Sequence, residues 1–207
     1  MSVQTPSKIV CIGRNYAKHA AELGNTVPDE PLIFLKPPSS IIGPGEAIVR
    51  PPDVGSIEFE GEITLVIGRV AKNVRAEDAW DIVESIVPLN DVTARDLQRA
   101  DDQWTRAKGF DTFCPVGTPV PREEIDVDDL SVVTRVNGEV RQQGHVDDLA
   151  FSIPVLIEYI TRIMTLEVGD LVATGTPDGI GPLVAGDVVE VEIPGVGVLS
   201  NPVVAEA

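Results

Sequence analysis

The run Glu58-Phe59-Glu60-Gly61-Glu62-Ile63-Thr64-Leu65-Val66-Ile67-Gly68 is the clearest β-strand in the chain. Its second half is almost wholly β-branched or aliphatic, which suits a pleated, buried surface. Its first half sets acids at alternate positions. Residues two apart on a strand point to the same face, so Glu60 and Glu62 are expected side by side. Two carboxylates on one face repel, and burial raises that cost. A hard divalent cation such as Mg2+ or Mn2+ resolves the conflict, because both prefer carboxylate oxygen. Gly61 between them lets another backbone or a ligand approach closely. Glu58 shares the face, so a solvated acidic edge is the alternative.

Around that strand the pattern alternates irregularly. Val10 to Gly13 reads as a short strand, and Tyr16 to Leu23 as a helix stopped by Gly24. Leu32 to Leu35 is apolar and ends at Pro37-Pro38. Ala76 to Val87 is predicted helical, with acids in its first turn. Val87 to Val92 reads as a strand end or loop, and Arg95 to Trp104 has a helical period. Ser131 to Arg141 is a hairpin, two β-rich arms around Asn137-Gly138, the preferred pair for a tight type I′ turn. Ser152 is expected to cap a helix with Pro154 in its first turn, running towards Ile163. The last forty residues, rich in Gly, Pro and Val, look like short strands joined by turns. The pattern predicts a β-rich α+β fold, not a doubly wound sheet. The 207 residues are expected to form one domain spanning 1–207.

The composition narrows the function classes. A net charge of −17 argues against nucleic acid or an anionic membrane surface as partner, because phosphate binding needs clustered Lys and Arg. No apolar stretch approaches the roughly 20 residues of a membrane span, and no signal-peptide pattern opens the chain. Cys11 and Cys114 lie far apart without metal or redox spacing, so buried free thiols in a reducing cytoplasm are expected.

Several other residues invite chemistry. Asp91 follows an apolar segment and would complete an oxygen ligand set with Glu60 and Glu62, leaving open positions for water and substrate. His19 and Glu22, three apart on the first helix, can meet on one face, the carboxylate orienting the imidazole. Lys108, among Trp104, Gly109 and Phe110, reads as a partly desolvated cation for a carboxylate or enolate, or as a snorkelling surface lysine. Thr174-Gly175-Thr176-Pro177 is a small-residue turn able to hold an anion. His145 and the acidic run Glu123 to Asp129 read as solvated loop and linker.

Taken in order, these segments resemble the fumarylacetoacetate-hydrolase family in its short form. The likeness runs from about Lys8 to Val191. It rests on Gly13-Arg14-Asn15-Tyr16 with His19, Phe34-Leu35-Lys36-Pro37, Glu60-Gly61-Glu62 and Asn90-Asp91-Val92-Thr93-Ala94-Arg95-Asp96. It continues through Ala107-Lys108-Gly109-Phe110-Asp111, Asn137-Gly138, Phe151-Ser152-Ile153-Pro154 and Thr174-Gly175-Thr176-Pro177. The resemblance implies a β-rich roll or barrel of mixed sheets with peripheral helices, in a homodimer. It implies Mg2+, with Mn2+ accepted, on Glu60, Glu62 and Asp91. It implies a His19–Glu22 dyad with Lys108 for catalysis, and substrate contacts at Arg14, Arg95, Gln98 and Thr176. Phe59, before the first ligand, is expected to line the pocket. Gln142 to Ala150 matches relatives poorly and receives no function. The implied substrate is a small 2-oxo or 2-hydroxy diacid. The implied reaction is hydrolytic C–C cleavage of an acylpyruvate, with oxaloacetate decarboxylation also within reach. The alternative is isomerisation of a 2-hydroxymuconate-type diacid.

Overall fold

The computed structural model describes residues 5–206. The strand Gly61–Ile67 sits inside a six-stranded sheet. Across that sheet the order is Val120–Pro121, Val83–Asn90, Gly61–Ile67, Leu171–Ala173, Ile9–Gly13 and Leu32–Lys36. All pairs are antiparallel except Ile9–Gly13 with Leu171–Ala173. Every residue of Gly61–Ile67 is buried. Ile63, Leu65 and Ile67 enter one apolar cluster, while Val66 joins another with Val87, Leu89 and Leu171. Burial on both faces is why this segment reads as a continuous apolar run rather than as alternation.

A second sheet of five strands covers the first face. Its order is Glu139–His145, Ser131–Val136, Val188–Ile193, Gly197–Ala205 and Ile48–Arg50. Val132, Val191, Ile193 and Leu199 from this sheet pack with Ile63 and Leu65, and Leu156, Ile157 and Ile160 of the helix Ile153–Ile163 close the same core. The Ser131–Arg141 hairpin forms as expected. Asn137 and Gly138 take φ of 54° and 82°, as a type I′ turn requires. The sheets are mixed, and none of those described closes into a barrel.

Several expectations are revised. The segment Ala76–Ile82 is a 3-10 helix rather than an α-helix, and at Val83 the chain turns extended. The apolar residues there pair with Gly61–Ile67, and that tertiary pairing overrides the helical period. The helix after Asp91 is shorter, Arg95–Ala100, followed by a separate turn Thr105–Lys108. Ser152 occupies the N-cap of Ile153–Ile163 but its hydroxyl makes no capping bond. His145 ends a strand and accepts a bond from the Asp147 amide, capping the turn Val146–Asp148, so it is more than a loop residue. Both cysteines are free and buried, and burial pushes the Cys114 thiol up to about 12.

Candidate active site

Glu60, Glu62 and Asp91 converge where two neighbouring strands end. Gly61 pairs with Asn90 and Glu62 with Leu89. Glu60 lies just outside the strand, in the junction between Ile57–Phe59 and Gly61–Ile67. Two bonds fix that junction: Glu60 N–H donates to Asn90 Oδ1 at 3.0 Å, and Asp91 N–H donates to the Glu60 carbonyl at 2.8 Å. All three acids are buried, and one oxygen of each lies within 4.8 Å of the others. Gly61 is needed there for a concrete reason. A Cβ on it would fall 2.0 Å from the Thr134 hydroxyl oxygen of the covering sheet.

Burying acids demands compensation. Lys108 Nζ donates to Glu60 Oε2 at 2.7 Å and to Asp91 Oδ2 at 2.6 Å. Arg95 bonds Glu60 at 2.6 Å and Glu58 at 2.8 Å. Lys36, to which sequence reasoning gave no role, donates to Asp91 Oδ1 at 2.7 Å and to the Lys108 carbonyl at 2.6 Å. Burial works to raise the Glu60 pKa, but the Lys108 and Arg95 charges outweigh it and hold the carboxyl well below its ordinary range. Burial would lower the Lys108 pKa, yet Asp91 and Glu60 raise it, so the ammonium stays charged. Glu62 is different. Among the described residues no Lys or Arg pairs with it, and its Oε2 accepts the Gly175 N–H at 2.8 Å. Burial and the Asp91 and Glu60 charges push its pKa well up. The cluster of Glu58, Glu60, Glu62 and Asp91 against Lys36, Arg95 and Lys108 is therefore one positive charge short, and the shortfall falls on Glu62. An all-oxygen, buried, undercompensated donor set fits a hard divalent cation.

Gln142, in the region left without a function, ties this centre together. Its Oε1 accepts the Gly61 N–H at 3.0 Å, and its Nε2 donates to the Thr176 hydroxyl and to the Pro177 carbonyl, both at 2.7 Å. The Thr176 hydroxyl donates its proton to the Gly61 carbonyl at 2.9 Å. The hydroxyl is thus engaged as donor and as acceptor, and Thr176 lines the cavity from that fixed position. Asn15 clamps the same turn, donating to the Thr174 carbonyl at 2.8 Å. No motif marked Gln142. Only the hairpin register, with its irregularity after Thr134, aims the side chain inward.

Over the acids lies a cavity of about 550 Å³. Of the residues assigned to metal, catalysis or substrate contact, all line it except Asp91, which is buried beneath Lys36 and Lys108, and Glu22, which lies beside His19. His19 is 5% exposed. Its Nδ1 lies 3.5 Å from Glu22 Oε2 and makes no hydrogen bond, while both Glu22 oxygens accept the Gly179 N–H at 3.2 Å. Burial lowers the His19 pKa below 6.5, Arg95 adds to that, and Glu60 and Glu22 oppose it. That shift favours the neutral imidazole, the form competent as a base. Phe59 does not line this cavity. It is buried in a separate core with Ile57 and Leu183, its ring pointing away from the acids.

The model of the fumarylacetoacetate (FAA) hydrolase C-terminal family matches residues 8–204. The chain is 45% identical over 194 residues to a mitochondrial oxaloacetate tautomerase of Arabidopsis thaliana, covering 91% of this chain and 87% of the relative. A crystal structure of 5-carboxymethyl-2-hydroxymuconate delta-isomerase from Mycobacterium smegmatis superposes with a TM-score of 0.91 at 45% identity, over 98% of this chain and 80% of that one. The fumarylpyruvate hydrolase of Pseudomonas aeruginosa, crystallised with Mn2+ and pyruvate, superposes with a TM-score of 0.92 at 30% identity, over 100% and 99%.

Proposed function

The chain belongs to the fumarylacetoacetate hydrolase family, and from that membership we propose that it is a divalent-cation-dependent enzyme that hydrolyses the C–C bond of acylpyruvate-type 2,4-dioxo acids. The observation that carries this reading is the buried His19 facing the same cavity as the undercompensated acids. Glu60, Glu62 and Asp91 would hold the cation, Mg2+ or Mn2+. When bound it supplies Lewis acidity towards the carboxylate and 2-oxo group of a substrate.

The chain's own residues do the rest. His19 accepts a proton from water, and Glu22 orients the ring once Nδ1 and the carboxylate close from 3.5 Å to bonding distance. The water oxygen bonds to the distal carbonyl carbon. The C–C bond between that carbon and the pyruvyl methylene then breaks, its electron pair passing into the enolate of pyruvate. The His19 proton is delivered to the enolate carbon, giving pyruvate and a carboxylic acid. Lys108 offsets the enolate charge. Arg95 and Gln98, hydrogen-bonded to one another, present a polar wall to the carboxylate end. Two copies forming a homodimer is part of the same proposal and rests on the family alone.

A second reading has its own support. The tautomerase and the isomerase are each 45% identical to this chain, against 30% for the hydrolase. Both names describe proton transfer, for which a neutral His19 suffices without an attacking water. Decarboxylation of oxaloacetate would use the same enolate stabilisation. One experiment separates them: pyruvate release from acetylpyruvate and from oxaloacetate, with Mg2+, Mn2+ or chelator, beside the ultraviolet band of enol-oxaloacetate. Chelator-sensitive release from acetylpyruvate supports the hydrolase. Loss of the enol band without any release replaces it with proton transfer.

A further inference from the structure

Each of the three clustered acids has one oxygen taken up by a donor of the protein. Glu60 Oε1 accepts from Arg95 at 2.6 Å. Glu62 Oε2 accepts the Gly175 N–H at 2.8 Å. Asp91 Oδ1 accepts from Lys36 Nζ at 2.7 Å. The donors differ in kind, a guanidinium, a main-chain amide and a lysine from another strand. Each leaves its acid one other oxygen. Two of those others, Glu60 Oε2 and Asp91 Oδ2, are the ones that Lys108 reaches from the cavity wall. A set of one oxygen from each acid fits within 4.8 Å.

Lys36 is the donor with no other task. It is 1% exposed and does not line the cavity, so it touches no substrate there. A lysine has three protons to donate. Lys36 gives them to three acceptors: Asp91 Oδ1, the Val92 carbonyl at 3.3 Å and the Lys108 carbonyl at 2.6 Å. Two of these are main chain. They tether Nζ to the residue after Asp91 and to the end of the turn Thr105–Lys108. The stem is held as firmly, because Lys36 ends the strand Leu32–Lys36, level with Ile9 of the neighbouring strand. The turn also packs against the residue that follows. A Cβ on Gly109 would fall 2.5 Å from the Thr105 carbonyl oxygen and 3.4 Å from Pro37 Cδ.

This tether limits what Asp91 can offer. For one cation to take both of its oxygens, the carboxylate must turn about the Cβ–Cγ bond and leave Lys36. Nζ cannot follow without deserting two buried carbonyls, and each orphaned group carries a desolvation penalty. Asp91 therefore serves as a one-oxygen ligand. That restriction separates cations by size. Ca2+ gathers about six to eight oxygens and often takes both from one carboxylate, whereas Mg2+ requires a near-octahedral set at shorter distances.

We propose that Lys36 is a positioning residue that confines Asp91 to a single ligand oxygen and so sets the preference of the site for a small octahedral cation over Ca2+. This rests on the ligand set of Glu60, Glu62 and Asp91 given above and assigns the residue that makes that set selective.

The test reads ion affinity rather than turnover. Mg2+, Mn2+ and Ca2+ are each titrated by calorimetry into chelator-treated, dialysed wild type and Lys36→Met. Removing a lysine beside the acids changes the attraction for every divalent ion alike, so the ratio of Mn2+ to Ca2+ affinity is the readout. The wild type should favour Mn2+ by roughly ten-fold or more. Lys36→Met should lower that ratio by roughly ten-fold, within the range seen when a group that orients a metal ligand is removed. Infrared difference spectra give a second measurement. The gap between the antisymmetric and symmetric carboxylate bands is wide for one-oxygen coordination and narrow for two. Ca2+ loading should give narrow-gap bands in Lys36→Met, and Mn2+ loading should give wide-gap bands in the wild type. A merely structural lysine would lower the melting temperature of the variant and leave ratio and bands unmoved, which overturns the assignment. Wild type alone overturns it by binding Ca2+ as tightly as Mn2+, or by narrow-gap bands on Mn2+ loading, whether or not the variant folds. Binding of none of the three ions by the wild type would strike the ligand set itself, and this inference with it.

Discussion

The Gln142 amide nitrogen lies 2.7 Å from the Thr176 hydroxyl oxygen, and that hydroxyl in turn donates to the Gly61 carbonyl between Glu60 and Glu62. A side chain from the hairpin thus fixes both the acid-bearing strand and the turn that faces the substrate. Gln142→Ala removes three bonds and orphans the buried Gly61 N–H and Pro177 carbonyl. Each orphaned group costs about 1–3 kcal/mol. The expected result is a lower melting temperature together with weaker divalent-cation affinity, read by calorimetry. Gln142→Glu keeps an acceptor for Gly61 but adds a charge beside the acids, so it should be worse for catalysis than its loss of stability explains. A variant with unchanged cation affinity would confine Gln142 to the hairpin.

Lys108 holds Glu60 and Asp91 together at 2.7 and 2.6 Å, all three buried. Breaking a buried ion pair from one side leaves uncompensated charge, at a cost of about 3–5 kcal/mol. Lys108→Met should therefore destabilise the chelator-treated protein by that order. Added Mg2+ or Mn2+ should return part of the loss, because the cation replaces the missing positive charge. Thermal melts of wild type and variant, with chelator and with each ion, check this. A variant melt that ignores the ion would remove the three acids from the proposed ligand set.

What the sequence discloses depends on how local each constraint is. Glu60, Glu62 and Asp91 converge because two adjacent strands end together, and the motif residues at those ends were readable. The Asn137-Gly138 turn was readable because its chemistry is confined to two residues. The segment Val83–Asn90 was not, because acids and apolar residues at helical spacing precede it and only pairing with Gly61–Ile67 makes it a strand. Lys36 and Gln142 escaped for the same reason. Lys36 lies 55 residues from Asp91 and Gln142 lies 81 from Gly61, and no spacing rule connects them. Phe59 misled because adjacency to Glu60 suggested the pocket, whereas the alternation of the strand sends its ring into a different core.

Asp170 anchors the start of the first strand. Its carboxylate, with no exposed side-chain surface, accepts from the Ser7 and Lys8 amides at 3.0 and 3.1 Å, from the Ser7 hydroxyl at 2.7 Å and from the Glu167 amide at 2.8 Å, and pairs with the Lys8 ammonium. Burial works against its charge, but the Lys8, Glu167 and Ser7 bonds prevail and hold its pKa below 3.8. A carboxyl with a depressed pKa contributes stability that is present above its unfolded value and lost as pH falls through the folded one. Asp170→Asn should cost roughly 1.5–3 kcal/mol at pH 7. The gap between mutant and wild type should narrow in acid, below pH 3.8. Denaturant melts at pH 7 and pH 3 decide it. A gap that stays constant across that window would mean that the loss comes from packing rather than from charge.

His19 offers the pH test of the chemistry itself. Burial and the Arg95 charge lower its pKa below 6.5, against the pull of Glu60 and Glu22. The neutral ring is the working base, so activity should be lost as pH falls through that lowered value. The acid limb of kcat/KM for acetylpyruvate is expected below pH 6.5. Glu22→Gln removes one charge that favours the protonated ring, so the limb should move further towards acid while kcat falls. His19→Ala should remove the limb and cost roughly two to four orders of magnitude in rate. An acid limb above pH 6.5 in the wild type, or one that persists in His19→Ala, would assign the proton to another group. Glu62 also faces the cavity, where burial and the Asp91 and Glu60 charges raise its pKa. A limb that persists in His19→Ala but shifts with divalent-cation concentration would assign it to a carboxyl of the proposed ligand set.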